Sequence, residues 1–304
     1  MDKKLVDVWQ TLKRQANTAD AVVLERIARA YANTYSRIDP HAQALIEQME
    51  LLEKSGNLTP QAVKRSGAYK SLITSVTDEL DGYESYLSTE MRVATEEAAR
   101  TGLSHENALI LFAIAVGLGV AVKDLPEGTV NAPGKDALDF LATYLDPNGA
   151  LFSKINLLSG YHASQIADGI LERVGMGKNP ITIGKWITDA YGMGLTDSMR
   201  MMRTAQLYSY REASRASAVA NSDVLQGQVW CAELDDVTCA SCVALHGQVF
   251  GVDEICDDHY NGRCALLPWV KGEANPIEQN GEDWFGGQDE AMQRSIMGDA
   301  KFEA

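Results

Sequence analysis

A mainly α-helical fold that closes on a small, cysteine-rich α+β unit is what the sequence predicts, and three observations carry the prediction. Apolar residues recur at three- and four-residue intervals over much of the first 220 positions, which is the spacing of a helix face and not the alternation of a strand. Long stretches such as residues 198–220 hold neither Gly nor Pro. All five cysteines fall within residues 231–264, behind the helical text.

The elements follow in order. Leu5, Val8, Trp9 and Leu12, then Val22, Val23, Ile27, Ala30 and Tyr31, place a helical pattern over residues 5–49. Asp39-Pro40 reads as a restart within it, with Asp as cap and Pro at the first helical position, and Thr59-Pro60 reads as a second restart. Helices are expected over residues 66–80 and 83–100, with Ser104 capping an apolar run at 108–122 that breaks near Gly117 and Gly119. Residues 123–135, with two prolines and two glycines, form a loop or boundary, and further breaks fall at 146–149 and 175–180. Between and after them stand helices at 155–174 and 181–191, then a long one capped by Thr196 and reaching about Asn221. This gives a helical domain at 1–122, a helical region at 123–228, a knuckle unit at 229–270 with a strand at 248–252, and an acidic, flexible tail at 271–304.

With 45% hydrophobic and 23% charged residues among 304, the chain has the composition of a folded protein with a substantial core. The fifteen apolar residues at 108–122 are too few to span a bilayer comfortably, and Met1-Asp2-Lys3-Lys4 opens no apolar signal region, so a soluble protein without a membrane span is expected. A net charge of -15 argues against a surface built throughout for coating nucleic acid. Residues 221–304 alone hold 16 acidic against 4 basic side chains, which marks that end as compositionally distinct. Against this background Arg200, Arg203, Arg211 and Arg215 fall within roughly 120° of one another on a helical projection. Such a stripe is either a solvated or acid-paired face, or a docking surface for phosphates or an acidic partner.

Cys239-x2-Cys242 can present two thiolates to one ion, and His259 and Cys264 supply a second pair after sixteen intervening residues. The expected site is a closed Cys3His zinc centre of structural role, the alternative being free or paired thiols. His246 and Cys256 compete as ligands, but His246 is expected to make an ordinary hydrogen bond and Cys231 to be a small buried hydrophobe. Asp235 and Asp236 are expected to cap or tighten the knuckle turn, and Trp230 to be its core aromatic. HExxH, GxxxxGK[ST] and G-x-S-x-G are absent, which removes the readily recognised zinc protease, nucleotide hydrolase and serine hydrolase readings. Asp257-Asp258-His259 leaves a metal-dependent nuclease as a remote alternative, with His as base and Asp holding a cation.

Arg203-Thr204, Trp230, Asp235, Thr238, Cys239, Cys242, Leu245, Gly247 and Phe250, followed by His259, Arg263 and Cys264, form a series. It resembles the head morphogenesis domain of tailed-phage minor head proteins, typified by the F protein of phage Mu, over residues 195–269. Ala205 stands where that pattern has Glu, Tyr260 where it has Pro, and Gly262 where it has the first Cys of the closing knuckle. The resemblance implies a virion component of the phage head, made in the host cytoplasm during assembly. It would associate with the portal and other head proteins, assist procapsid assembly, DNA packaging or delivery, and contact DNA. It implies binding and not catalysis, the rival reading being a zinc-stabilised DNA-binding module. The residues after Trp269 are too few for the toxin or transferase domains that some relatives append.

Overall fold

The computed structural model describes residues 4–144, 159–259 and 262–303. The break expected at 146–149, the start of the helix expected at 155 and the position of Tyr260 lie outside the described residues. The rest is mainly α-helical with a small C-terminal sheet.

Three helices are far longer than their sequence signals. Helix α1 runs over Leu5–Lys54 and continues through Pro40, so the expected restart there is corrected. A proline inside a helix costs about 3 kcal/mol, yet Ile38, Ala42, Leu45 and Met49 on either side of it are all buried in one core. Packing along that continuous face outweighs the local penalty. Thr59 does cap the next helix, α2 (Pro60–Arg65): its hydroxyl accepts from the Ala62 amide at 3.2 Å, with Pro60 at the first position.

Helix α3 (Gly67–Leu118) fuses the two helices expected at 66–100 with the apolar run beyond, and Ser104 lies inside it as no cap. It ends where the glycines predicted. Gly119 takes φ +66°, the Val120 amide reaches back to the Ala115 carbonyl and the Gly119 amide to Val116, which closes the last turn in a Schellman motif. Among the described residues α3 is the one helix long and apolar enough to cross a membrane by length and composition. Within its apolar part, Leu109, Ile110 and Ala115 are buried.

A short 3-10 turn at Val122–Asp124 and helix α4 (Lys135–Tyr144) precede α5 (Ser159–Gly175). Helix α6 (Pro180–Ala220) then fuses the expected helices at 181–191 and 196–221. Asn179 accepts from the Thr182 amide at its start, whereas Thr196 donates to the Gly192 carbonyl one turn back and caps nothing.

The described chain divides into two compact units that do not follow the sequential boundaries at 122 and 228. The physical reason is helix length, since α1, α3 and α6 each give residues to both. One unit, residues 20–94 and 144–205, holds helices and no strand among its described residues. Ile38, Leu45, Met49, Leu72, Ile170 and Ile183 form one of its cores, and Ile27, Tyr31, Met91 and Met202 anchor another.

The other unit comprises residues 1–19, 95–143 and 206–304. Its sheet has the order β2-β1-β3, with β1 (Leu225–Cys231) central between antiparallel β2 (Val249–Phe250) and β3 (Ala265–Val270). Register pairs Val229 with Val249 on one side and with Leu267 on the other. Of the strand expected at 248–252 only Val249 and Phe250 pair. Central β1 is buried on both faces, with Val229 against Trp9 and Leu109 and with Trp230 against Phe250. Helix α7 (Ala240–Leu245) sits between β1 and β2 in the chain. The acidic C-terminal segment is not an unstructured tail. Helices α8 (Gly281–Gly286), α9 (Glu290–Met297) and α10 (Asp299–Phe302) occupy it, the first two capped by Asn280 and Asp289 side chains, with Ile277 and Ile296 buried.

Candidate metal centre

The site is built on the strand-to-helix turn that follows β1. Asp235 receives the Thr238 hydroxyl at 2.7 Å and the Val237 amide at 3.3 Å, and the Thr238 hydroxyl accepts the Asp235 amide at 3.0 Å. This closed turn delivers Cys239 to the N-cap of α7, where its sulfur accepts the Cys242 amide. Helix geometry then places Cys242 one turn on, with its sulfur on the same side. Gly247 ends the unit with φ +86°, its amide on the Trp230 carbonyl at 2.9 Å, a conformation that favours glycine. Asp235, Thr238, Gly247 and buried Trp230 are thus the scaffold of the turn.

The second half comes from the segment before β3. Arg263 forks onto Asp235 at 2.5 and 2.6 Å, tying the two halves together. That hydrogen bond, the largest cause, holds the Asp235 carboxyl well below its ordinary value. His259 Nε2 stands 3.3 Å from the Cys239 sulfur and 3.6 Å from that of Cys242. Two groups of donors that could hold a metal ion result, Cys239 with Cys242 and His259, and Cys242 with Asp258 and Cys264, the donor atoms of each within 4.8 Å of one another. They share Cys242 and together contain all four expected ligands plus Asp258.

The thiols differ in their electrostatics. Burial works against a Cys239 thiolate, but hydrogen bonds from Ser241, Cys242 and His259 prevail and bring it down to about 7. The Cys242 thiol is driven upward by its hydrogen bond with Cys264 and by burial. Outside the groups, burial raises Cys231 and Cys256 to about 12, consistent with two inert buried thiols. His246 is buried, and its Nδ1 accepts the Ala232 amide at 3.0 Å, so it serves the strand and not the cluster.

Asp258 is the residue whose role the sequence did not reveal. Its side chain is 1% exposed; Oδ1 receives the His259 amide at 2.9 Å, and Oδ2 receives the Cys264 amide at 3.0 Å and Arg211 Nη2 at 2.9 Å. Burial disfavours the charge, yet Arg211 and these donors outweigh it and hold the carboxyl below its ordinary value. Gly262 makes the arrangement possible, because a Cβ there would overlap the Asp258 carboxylate. Gly262 therefore stands where this chain needs space for Asp258. Arg211 engages only Oδ2 of Asp258, whereas Oδ1 faces the His259 amide and the Cys242 thiol, 3.4 Å away.

Arg211 itself is a correction to the arginine stripe. Its side chain is 5% exposed and also donates to the Gly262 and Cys264 carbonyls at 3.0 and 2.8 Å, so it is an internal clamp and not part of a docking surface. Arg215 is engaged by Glu212 one turn before it, and Arg200 by Asp197. Exposed Arg203 lies near Asp20, whose carboxyl burial nonetheless lifts to about 6. A helical projection gives the angle of each residue but not what later segment covers it. Because removing one partner of a buried pair leaves the other charge uncompensated, Arg211→Met is expected to cost about 3–5 kcal/mol. Adding Asp258→Asn to it should recover part of that loss, as read by a double-mutant cycle in denaturant. A loss below about 1 kcal/mol in the single variant would contradict the clamp.

No protein-family model, curated protein or solved structure matches the chain.

Proposed function

We propose that this chain is a portal-associated minor head protein of a tailed phage whose C-terminal unit is knit by one structural zinc ion. The observation that carries the reading is the paired knuckle. The Asp235, Thr238, Cys239 and Cys242 series and the His259, Arg263 and Cys264 series, on which the likeness to head morphogenesis domains rests, come together at two donor groups that share Cys242, beside the Asp235–Arg263 fork. A tetrahedral zinc with nitrogen at about 2.05 Å and thiolate at about 2.3 Å has an N···S edge of roughly 3.6 Å. The 3.3 and 3.6 Å separations of His259 from the two sulfurs fit that edge.

Cys239, Cys242, His259 and Cys264 would hold the ion, with Asp258, whose Oδ2 is engaged by Arg211, beside it. Four protein ligands leave no open position, so the metal fastens the fold and the protein acts by binding portal and other head proteins during procapsid assembly, packaging or delivery of DNA. The enclosed Arg211 leaves the rival reading, a DNA-binding module, without a continuous arginine surface. Elemental mass spectrometry on reduced, folded protein should find about one zinc per chain, and the protein should co-purify with portal and be missing from portal-deficient particles. Unchanged incorporation without portal would sink the portal reading, and folded protein without zinc would sink the metal reading.

A further inference from the structure

Behind the cluster, in the same unit, lies a small chamber that neither the metal nor the head-protein reading uses. Its walls come from α1, α3, α6, β1, β3 and the segment before β3, and its polar lining includes Glu106, Gln228, Arg211 and Arg215. Three atoms of these residues are buried without a hydrogen-bond partner among the described residues: Glu106 Oε1, Gln228 Oε1 and Arg211 Nε. The residues are 2%, 1% and 7% exposed. A buried polar atom left unpaired costs about 1–3 kcal/mol, and three lining one chamber are a strong demand for a ligand.

The demand has a definite chemistry. Arg211 Nε can only donate, and Gln228 Oε1 can only accept. Glu106 already hydrogen-bonds with Gln228, and complete burial lifts its carboxyl to about 8, so at neutral pH its second oxygen belongs to a neutral acid. The occupant must therefore accept from one side and donate to another. Two guanidinium groups on the wall exclude a small cation, and Glu254 opposes an anion. The room open to a water molecule's centre is about 20 Å³, against the roughly 10–15 Å³ that one water requires.

We propose that this chamber is a binding site for a single internal water, accepting from Arg211 Nε and donating to Gln228 and Glu106. The water ties α3, β1 and α6 together and steadies the same arginine whose other end clamps Asp258. The site does not depend on the zinc or head-protein readings. A crystal structure of the full chain that resolves ordered solvent should show one water within hydrogen-bonding distance of all three atoms. An empty chamber, direct bonding that pairs these three atoms with one another, or an anomalous or polyatomic peak would overturn it. Water-nucleus relaxation dispersion in solution supplies a second readout: Gln228→Met, verified as folded, should lose one long-lived water relative to the wild type. Equal dispersion amplitudes in the two proteins would likewise overturn the proposal.

Discussion

Chelation under reducing conditions is expected to release residues 229–264 from their folded arrangement while the helices at 20–94 and 159–205 keep their amide protection. The contrast follows from what holds each part. The helical unit has two extended apolar cores built on residues such as Leu45, Leu72, Ile183 and Met91. The knuckle has a small cluster in which Cys242, Cys256 and Cys264 themselves provide much of the buried bulk around Trp230. Structural zinc in short segments contributes about 10–16 kcal/mol of apparent binding free energy at neutral pH, far more than such a cluster could replace. Cys242→Ser should have the same effect without chelator, since Cys242 belongs to both donor groups. Hydrogen exchange read by mass spectrometry resolves the two regions, and equal protection of 229–264 with and without chelator would refute the metal-knit fold.

The second large effect is a stability that falls with rising pH on account of one residue. Glu106 is completely buried, and burial is the leading cause that moves its carboxyl from 4.5 to about 8 in the folded protein, against a weaker opposing hydrogen bond with Gln228. The folded state then holds a proton that the unfolded state has lost. Its contribution is therefore intact below pH 4.5 and is lost progressively as pH rises to about 8. One pKa unit corresponds to about 1.4 kcal/mol, so the whole window amounts to something on the order of 5 kcal/mol. Glu106→Gln keeps the shape and cannot ionise. Urea denaturation at pH 5 and pH 8 should show the wild type losing several kcal/mol over this range relative to the variant. Parallel behaviour of the two proteins would show that Glu106 stays charged or becomes solvated.

These expectations draw on parts of the molecule that the sequence revealed unevenly. Local chemistry was legible wherever a few neighbouring residues decide the outcome. Thr59-Pro60 caps a helix, Gly119 ends one, and Asp235 with Thr238 shapes the turn that delivers Cys239. That Cys239 and Cys242 approach His259, and that Cys242 approaches Cys264, was legible in their spacing, whereas the place of Asp258 in the second group was not. Long-range packing was not. Pro40, Ser104 and Thr196 all resemble helix boundaries, and in each case the helix continues. Arg211 looked like one member of a surface stripe until the segment 258–264, some fifty positions later, enclosed it. Glu106 carried no signal at all, since a single Glu in a helix is ordinarily solvated and only tertiary burial makes it an acid. The C-terminal helices could have been read from Asn280 and Asp289, whose cap positions were overshadowed by the acidic composition.

The Asp235–Arg263 fork has a kinetic side. It joins positions 28 residues apart, so the loop that carries His259 is closed whether or not an ion is bound. Closure entropy would thereby be spent before any metal arrived, and the second pair of candidate ligands would face the first at a high effective concentration. Both partners of the fork are 39% exposed, which opens it to ionic screening. For a metal-binding chain the pair would act as a latch that hastens capture of the ion at low salt and weakens at high salt, bearing on how quickly the fold is completed more than on how stable it is.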